Sequence, residues 1–151
     1  MSPARPSSGP PARLLSARVA QVRTLTSRVR EFVLERPDGA ALPPWEAGAH
    51  IELHLDTDGG PLIRRYSLVG GLDAASAGRR HYRIAVQRES QGRGSGHLHE
   101  RVDVGTVLRI SHPRNEFRLD RRDARSLLLA GGIGVTPILC MAERLALGPS
   151  G

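Results

Sequence analysis

The sequence contains no lysine: all 22 basic residues are arginine, set against 15 acidic ones, for a formal charge of +7. Arginines alone, scattered along the chain rather than gathered in one run, point to a codon bias more than to a dedicated polyanion-binding surface. Aromatic residues make up only 3% of the chain, too few for the stacking platforms of single-strand binders, so nucleic acid is not an expected partner. The single cysteine, Cys140, excludes an internal disulfide and any iron–sulfur cluster held by this chain's thiolates alone. No apolar run approaches the ~20 residues needed to cross a bilayer, which argues against a membrane partner. Residues 1–11 are rich in Pro and Ser and lack the apolar stretch of a signal peptide. They read as a disordered arm on a cytoplasmic protein.

What remains, 39% hydrophobic and 25% charged over 151 residues, suits one globular domain. Short strand patterns recur between turn signals. They fall at Leu14–Leu25, Val29–Glu35, Ile51–Leu55, Leu62–Val69, His81–Arg88 and Val107–Ser111. Arg36-Pro37-Asp38-Gly39 and Asp56–Gly60 carry turn chemistry between them, and Gly70–Arg80 is a small-residue loop. Several short strands of this kind predict a closed antiparallel barrel, which removes exposed edges. Near Asp120–Asp123 the pattern changes. Ser126–Ala130 is an uninterrupted apolar run, the signature of a buried parallel strand. Gly131–Val135 forms a turn, Thr136 is placed to cap a helix over Ile138–Leu147, Pro137 sits where its missing N–H costs nothing, and Gly148-Pro149 stops the helix.

Three stretches carry chemistry. In Arg64-Arg65-Tyr66-Ser67, alternation along a strand puts Arg64 and Tyr66 on one face and Arg65 and Ser67 on the other. An aromatic beside a guanidinium suits a flat anionic ligand, since the ring offers a packing surface and the guanidinium forks onto phosphate oxygens. In Gly92-Arg93-Gly94-Ser95-Gly96, glycines let backbone N–H groups approach an anion, and a helix start behind them adds positive dipole, although a plain hairpin explains the loop equally well. Gly131-Gly132-Ile133-Gly134-Val135-Thr136-Pro137 is not the dinucleotide fingerprint, because Pro137 stands where a third glycine would fall, yet it opens the backbone at the same kind of strand–helix junction. The remaining candidates read as structural. His97 with His99, and His50 with His54, have ligand-like spacing but no Cys or carboxylate cluster completes a metal site. Glu100, Asp103 and His99 form no triad with Ser95. Cys140 lies among apolar residues and reads as core.

Taken together and in order, Trp45-x-x-Gly48-Ala49-His50-Ile51, Arg64-x-Tyr66-Ser67-Leu68, Val86-x-Arg88-Glu89, Ser95-x-x-x-His99 and Gly131–Pro137 resemble the ferredoxin–NADP reductase superfamily, in particular reductase components of the phthalate dioxygenase and vanillate demethylase type. The resemblance covers about Arg13 to Leu147. It implies a mainly β fold, a six-stranded antiparallel Greek-key flavin-binding barrel over residues 12–120. The first strand–helix unit of a truncated α/β NAD(P)-binding domain would follow over 121–151.

It further implies a flavin-dependent oxidoreductase that passes electrons from NAD(P)H through FMN, with FAD left open, to an iron–sulfur acceptor such as an oxygenase component or a ferredoxin-like protein. Arg64 would grip the phosphate, Tyr66 would pack along the ring, and Ser67 would serve catalysis by hydrogen bonding near the reactive nitrogen N5. The backbone at Ala85 and Val86 would meet the ring edge, and Gly94 and Ser95 would complete the phosphate site. Gly131, Gly132, Gly134, Thr136 and Pro137 would lie at the nicotinamide end. The sequence departs from the family in two ways: Arg93 replaces one of a pair of glycines, and a single strand–helix unit leaves Leu127, Leu128 and Leu129 without neighbours. The alternative is a truncated, non-catalytic barrel that binds flavin or a protein.

Overall fold

The computed structural model describes residues 13–70, 80–120 and 126–146. The arm expected over 1–11, the small-residue loop over 71–79, the change of pattern at 121–123 and the helix stop at Gly148-Pro149 lie outside the described residues.

Six strands form one antiparallel sheet: β1 (Leu15–Thr24), β2 (Val29–Glu35), β3 (His50–Thr57), β4 (Gly60–Ser67), β5 (Tyr82–Gln87) and β6 (Val107–Ile110). Their order is β4-β3-β6-β1-β2-β5. The last strand in sequence therefore inserts between the hairpins β1–β2 and β3–β4, as a Greek key requires. The two ends of the order, β4 and β5, curl toward each other. Just past β4 the Val69 N–H donates to Arg83 O of β5 at 2.8 Å. The result is the six-stranded architecture implied by the resemblance, curled as a half-barrel: β4 and β5 approach at its ends but form no ladder, so the closure expected from the strand spacing is incomplete.

Alternation decides what fills it. Phe32 and Leu34 of β2, Ile51, Leu53 and Leu55 of β3, Tyr82, Ile84 and Val86 of β5, and Leu108 and Ile110 of β6 point inward and are buried. Each such side chain contributes roughly 1.5–3 kcal/mol by leaving water. A helix, α1 (Arg93–Arg101), plugs one opening, packing on β3, β4 and β5. Its Leu98 joins the core, and the His99 ring hydrogen-bonds Val86 O through Nε2 at 2.8 Å. The second half of the predicted glycine loop is thus the first turn of this helix.

Past the barrel, a 3₁₀ turn over Gly132–Gly134 leads into α2 (Val135–Ala146). The parallel strand expected at Ser126–Ala130 does not form a ladder: the segment carries no strand pairing, and Leu127 and Leu129 are 84% and 77% exposed. A parallel strand needs neighbours for its hydrogen bonds, and none is at hand among the described residues. The cap differs as well. The helix starts at Val135, and the Thr136 hydroxyl donates to Ile133 O at 3.1 Å instead of accepting an N–H.

Helix α2 is nonetheless docked on the barrel, by way of two glycines. Gly48, at φ +95°, lies so close to Phe117 that a Cβ would stand 1.9 Å from the Phe117 carbonyl oxygen and 2.8 Å from Cε of Met141. At Gly70 a Cβ would stand 2.9 Å from the Trp45 ring and 3.1 Å from Sγ of Cys140. Cys140 and Met141 are the buried residues of α2, and burial pushes the Cys140 thiol pKa upward.

Candidate functional site

The site begins with strand β4. Its register opposite β3 pairs Arg64 with Leu53 and Tyr66 with Ile51, so both side chains stand on the face that continues into the core. Tyr66 is half-buried and packs against that core. Burial drives its phenol pKa up to about 12, with the Arg64 charge pulling slightly the other way. The ring therefore stays neutral across the physiological range. Arg64 has room to extend because residue 94 is glycine: a Cβ there would stand 2.7 Å from Cγ of Arg64. Its Nη1 donates to the Ile63 carbonyl at 2.9 Å.

The two adjacent arginines differ in their charge partners. Arg65 is engaged by two carboxylates, its Nε 3.3 Å from Glu52 Oε1 and its Nη1 3.6 Å from Glu116 Oε2. Among the described residues Arg64 has no carboxylate partner. A free guanidinium on a cleft wall is an anion-binding group.

Helix α1 supplies the second anion-binding element. Its first internal bond is Gly96 N–H to Gly92 O at 2.8 Å, so the N–H groups of Arg93, Gly94 and Ser95 precede the intrahelical ladder. No acidic residue occupies this first turn. The Ser95 hydroxyl is used within the loop, accepting from Glu89 N–H at 3.0 Å and lying 3.4 Å from Gly92 O. At this site Ser95 fixes the loop, and its backbone N–H is the group left to meet a ligand.

These parts surround a cleft of about 330 Å³ between β4, β5, the start of α1 and the turn into α2. The cleft brings together nine of the residues singled out from sequence. Arg64, Tyr66 and Ser67 come from β4, Ala85 from β5, Gly94 and Ser95 from α1, and Gly134, Thr136 and Pro137 from the late glycine segment. Four others lie off its wall. Val86 points into the core and is fully buried, because β5 alternates and Ala85 holds the outward position. Arg93 turns away into a neighbouring cavity, with Nη2 3.4 Å from Thr57 Oγ1. Gly131 and Gly132 stand outside the cleft lining, and Gly132 takes φ +57° in the turn.

Sequence reasoning missed Arg65, Gln87, Glu89, Gly92 and Ile133, which also line the cleft. Gln87 was readable as the outward residue two after Ala85. Arg65 sits on β4 beside Arg64, on the alternate position that Ser67 shares, whereas Glu89, Gly92 and Ile133 depend on how the loops fold back. Among the described residues no group of three or more His, Cys, Asp or Glu is placed to hold a metal ion. Among the described residues no helix is long and apolar enough to cross a membrane.

Comparison with known proteins bears on the family and the fold. Residues 16–119 match the family model described as oxidoreductase FAD-binding domain. The chain is 46% identical over 129 residues to a vanillate O-demethylase oxidoreductase of Pseudomonas sp. strain HR199, covering 85% of this chain and 38% of that protein. It is 39% identical over 132 residues to phthalate dioxygenase reductase of Burkholderia cepacia, covering 87% and 39% respectively. The solved structure of a phthalate dioxygenase reductase, described as modular for electron transfer from pyridine nucleotides to [2Fe-2S], superposes with a TM-score of 0.79 at 39% identity. It covers 90% of this chain and 40% of that one. The chain thus spans about two fifths of the length of these relatives. With a barrel of their topology and a family match across most of its described length, it belongs to the oxidoreductase FAD-binding domain family.

Proposed function

We propose that this chain is the flavin-holding part of a cytoplasmic NAD(P)H-dependent reductase, using FMN and delivering electrons to an iron–sulfur acceptor such as an oxygenase component or a ferredoxin-like protein. Residues 12–120 would form the flavin barrel and 121–151 the beginning of the nucleotide-binding domain. The observation that carries this reading is the unpaired Arg64 opposite the free N–H groups of α1, with the Tyr66 ring beside them in one cleft. A dianionic phosphate fits between the guanidinium and the helix start, and a flat ring fits along Tyr66. The bare Gly94 keeps the phosphate end open, since a side chain there would displace Arg64.

When bound, the flavin accepts a hydride and releases electrons one at a time. The chain's own residues place it and shield it. Ser67, at the end of β4, lines the cleft where its hydroxyl would reach the ring near N5. The backbone at Ala85, with Val86 behind it, would meet the ring edge. Thr136 and Pro137 line the same cleft as Ser67, and a nicotinamide would approach there. The relatives named above support the electron-transfer role.

A second reading is favoured by the exposed Leu127 and Leu129. By itself this chain would hold flavin without rapid turnover, because the sheet that should cover those leucines is what completes a nucleotide site. The test is a titration of the purified chain with FMN followed by visible absorbance, then addition of NADH with an artificial acceptor. A shifted flavin spectrum with slow reduction is expected. Absence of a yellow complex would refute the flavin reading, and fast turnover would refute the non-catalytic one.

A further inference from the structure

Strand β5 and helix α1 both face the cleft, β5 through Ala85 and Gln87 and α1 through Gly94 and Ser95. Val86 stands between the two β5 residues. Its side chain is in the core, and its carbonyl lies 2.8 Å from Nε2 of His99 in α1. A carbonyl oxygen only accepts, so this contact places the ring proton on Nε2. Ser95 lies four residues before His99 and therefore on the same face of the helix. Its hydroxyl accepts the Glu89 N–H at 3.0 Å. The stretch 86–89 is thus stitched to α1 at two points, one helical turn apart.

The stitch at His99 is backed from a third element. Arg30 of β2 stands opposite Val86 in the ladder, and its Nη1 donates to the His99 carbonyl at 2.8 Å. That carbonyl belongs to the last turn of α1, where C=O groups lack internal partners and a cation is favoured. Strands β2 and β5 and helix α1 therefore meet at one residue, bonded through both its ring and its backbone. His99 is buried, beside Leu98 and not far from Val102, which both join the core. An apolar side chain at 99 could fill the same space. It would not hold the helix in register along β5, because hydrogen bonds are directional and apolar contact is not.

We infer that His99 is a positioning residue that sets the spacing between the strand meeting the flavin ring and the helix start receiving its phosphate. It stands off the cleft wall and acts through Val86 and the helix. Ring and phosphate are joined by a short chain, so both ends bind fully only when the spacing of β5 and α1 matches that chain. The inference rests on the flavin reading above.

The test titrates the full chain with FMN and with riboflavin, which share the ring and differ in the phosphate, and follows fluorescence. The quantity read is the preference for FMN over riboflavin. His99→Leu should shrink that preference about tenfold, chiefly by weakening FMN, in line with one lost buried hydrogen bond. His99→Gln, whose amide N–H can take the place of Nε2–H, should restore most of it. A merely structural role would weaken both ligands alike or neither, so an unchanged preference in His99→Leu overturns the inference and leaves the flavin reading standing. Should His99→Leu fail to fold, Arg30→Met loosens the same helix end and should shrink the preference about threefold. An unchanged preference there overturns the inference equally. Failure of wild type to bind either flavin overturns both readings.

Discussion

The barrel and the segment after it both carry apolar runs, and those runs behave differently. Leu53 in β3 is fully buried, with ladder partners in β4 and β6, whereas Leu127 is 84% exposed and belongs to no ladder. An apolar run specifies a strand only where other strands supply hydrogen bonds and cover. Helix α2, in contrast, needs no sheet, because its backbone bonds are internal and two glycines of the barrel let it dock directly. The segment thus contributes its glycine turn and helix start to the cleft while its leucines remain uncovered.

The comparison can be broken from both sides. Leu53→Ala should cost about 2–5 kcal/mol of stability, as large-to-small changes in packed cores do. Denaturant unfolding measures it, and a loss below about 1 kcal/mol would mean the barrel core is looser than described. Gly48→Ala comes next. It adds a Cβ at φ +95° against the Phe117 carbonyl, so α2 should lose its seat, with a stability cost of roughly 1–3 kcal/mol and weaker flavin binding from loss of the Pro137 side of the cleft. Full flavin affinity in this variant would show that α2 does not help to form the site.

A smaller effect comes from pH. Tyr66 titrates near 12 when folded against about 10 when unfolded. Its neutral form is the one favoured by the fold, so its contribution is complete below pH 10 and is lost as pH rises toward 12. The ultraviolet tyrosinate band should therefore appear late and track the loss of stability, and early titration of both tyrosines would contradict the burial of Tyr66. Leu127→Ser should change least, within about 0.5 kcal/mol, since it removes nothing from cover in this chain.

Much of the barrel was legible in the sequence. Alternation in Ile51–Leu55 and in Tyr82–Val86 placed strands and inward faces, because a period of two is a local property of the backbone. The ordered motifs were legible too, and nine residues drawn from them meet in the cleft. What escaped was set by distant contacts. Glycine-rich composition argued against a helix at Arg93–Gly96, since glycine costs about 1 kcal/mol relative to alanine there. The helix forms regardless, with Gly94 making room for Arg64, and Ser95 tying back to Glu89. The apolar Ser126–Ala130 misled for the opposite reason: the local pattern was present, and among the described residues no strand pairs with it.

The phosphate assignment of Arg64 is tested most directly by comparing FMN with riboflavin on wild type and Arg64→Ala. Removing a guanidinium that bonds a phosphate should weaken FMN by about 10–100-fold, or about 1.5–3 kcal/mol, and leave riboflavin affinity nearly unchanged. Equal losses for both ligands, or none for FMN, would contradict the account.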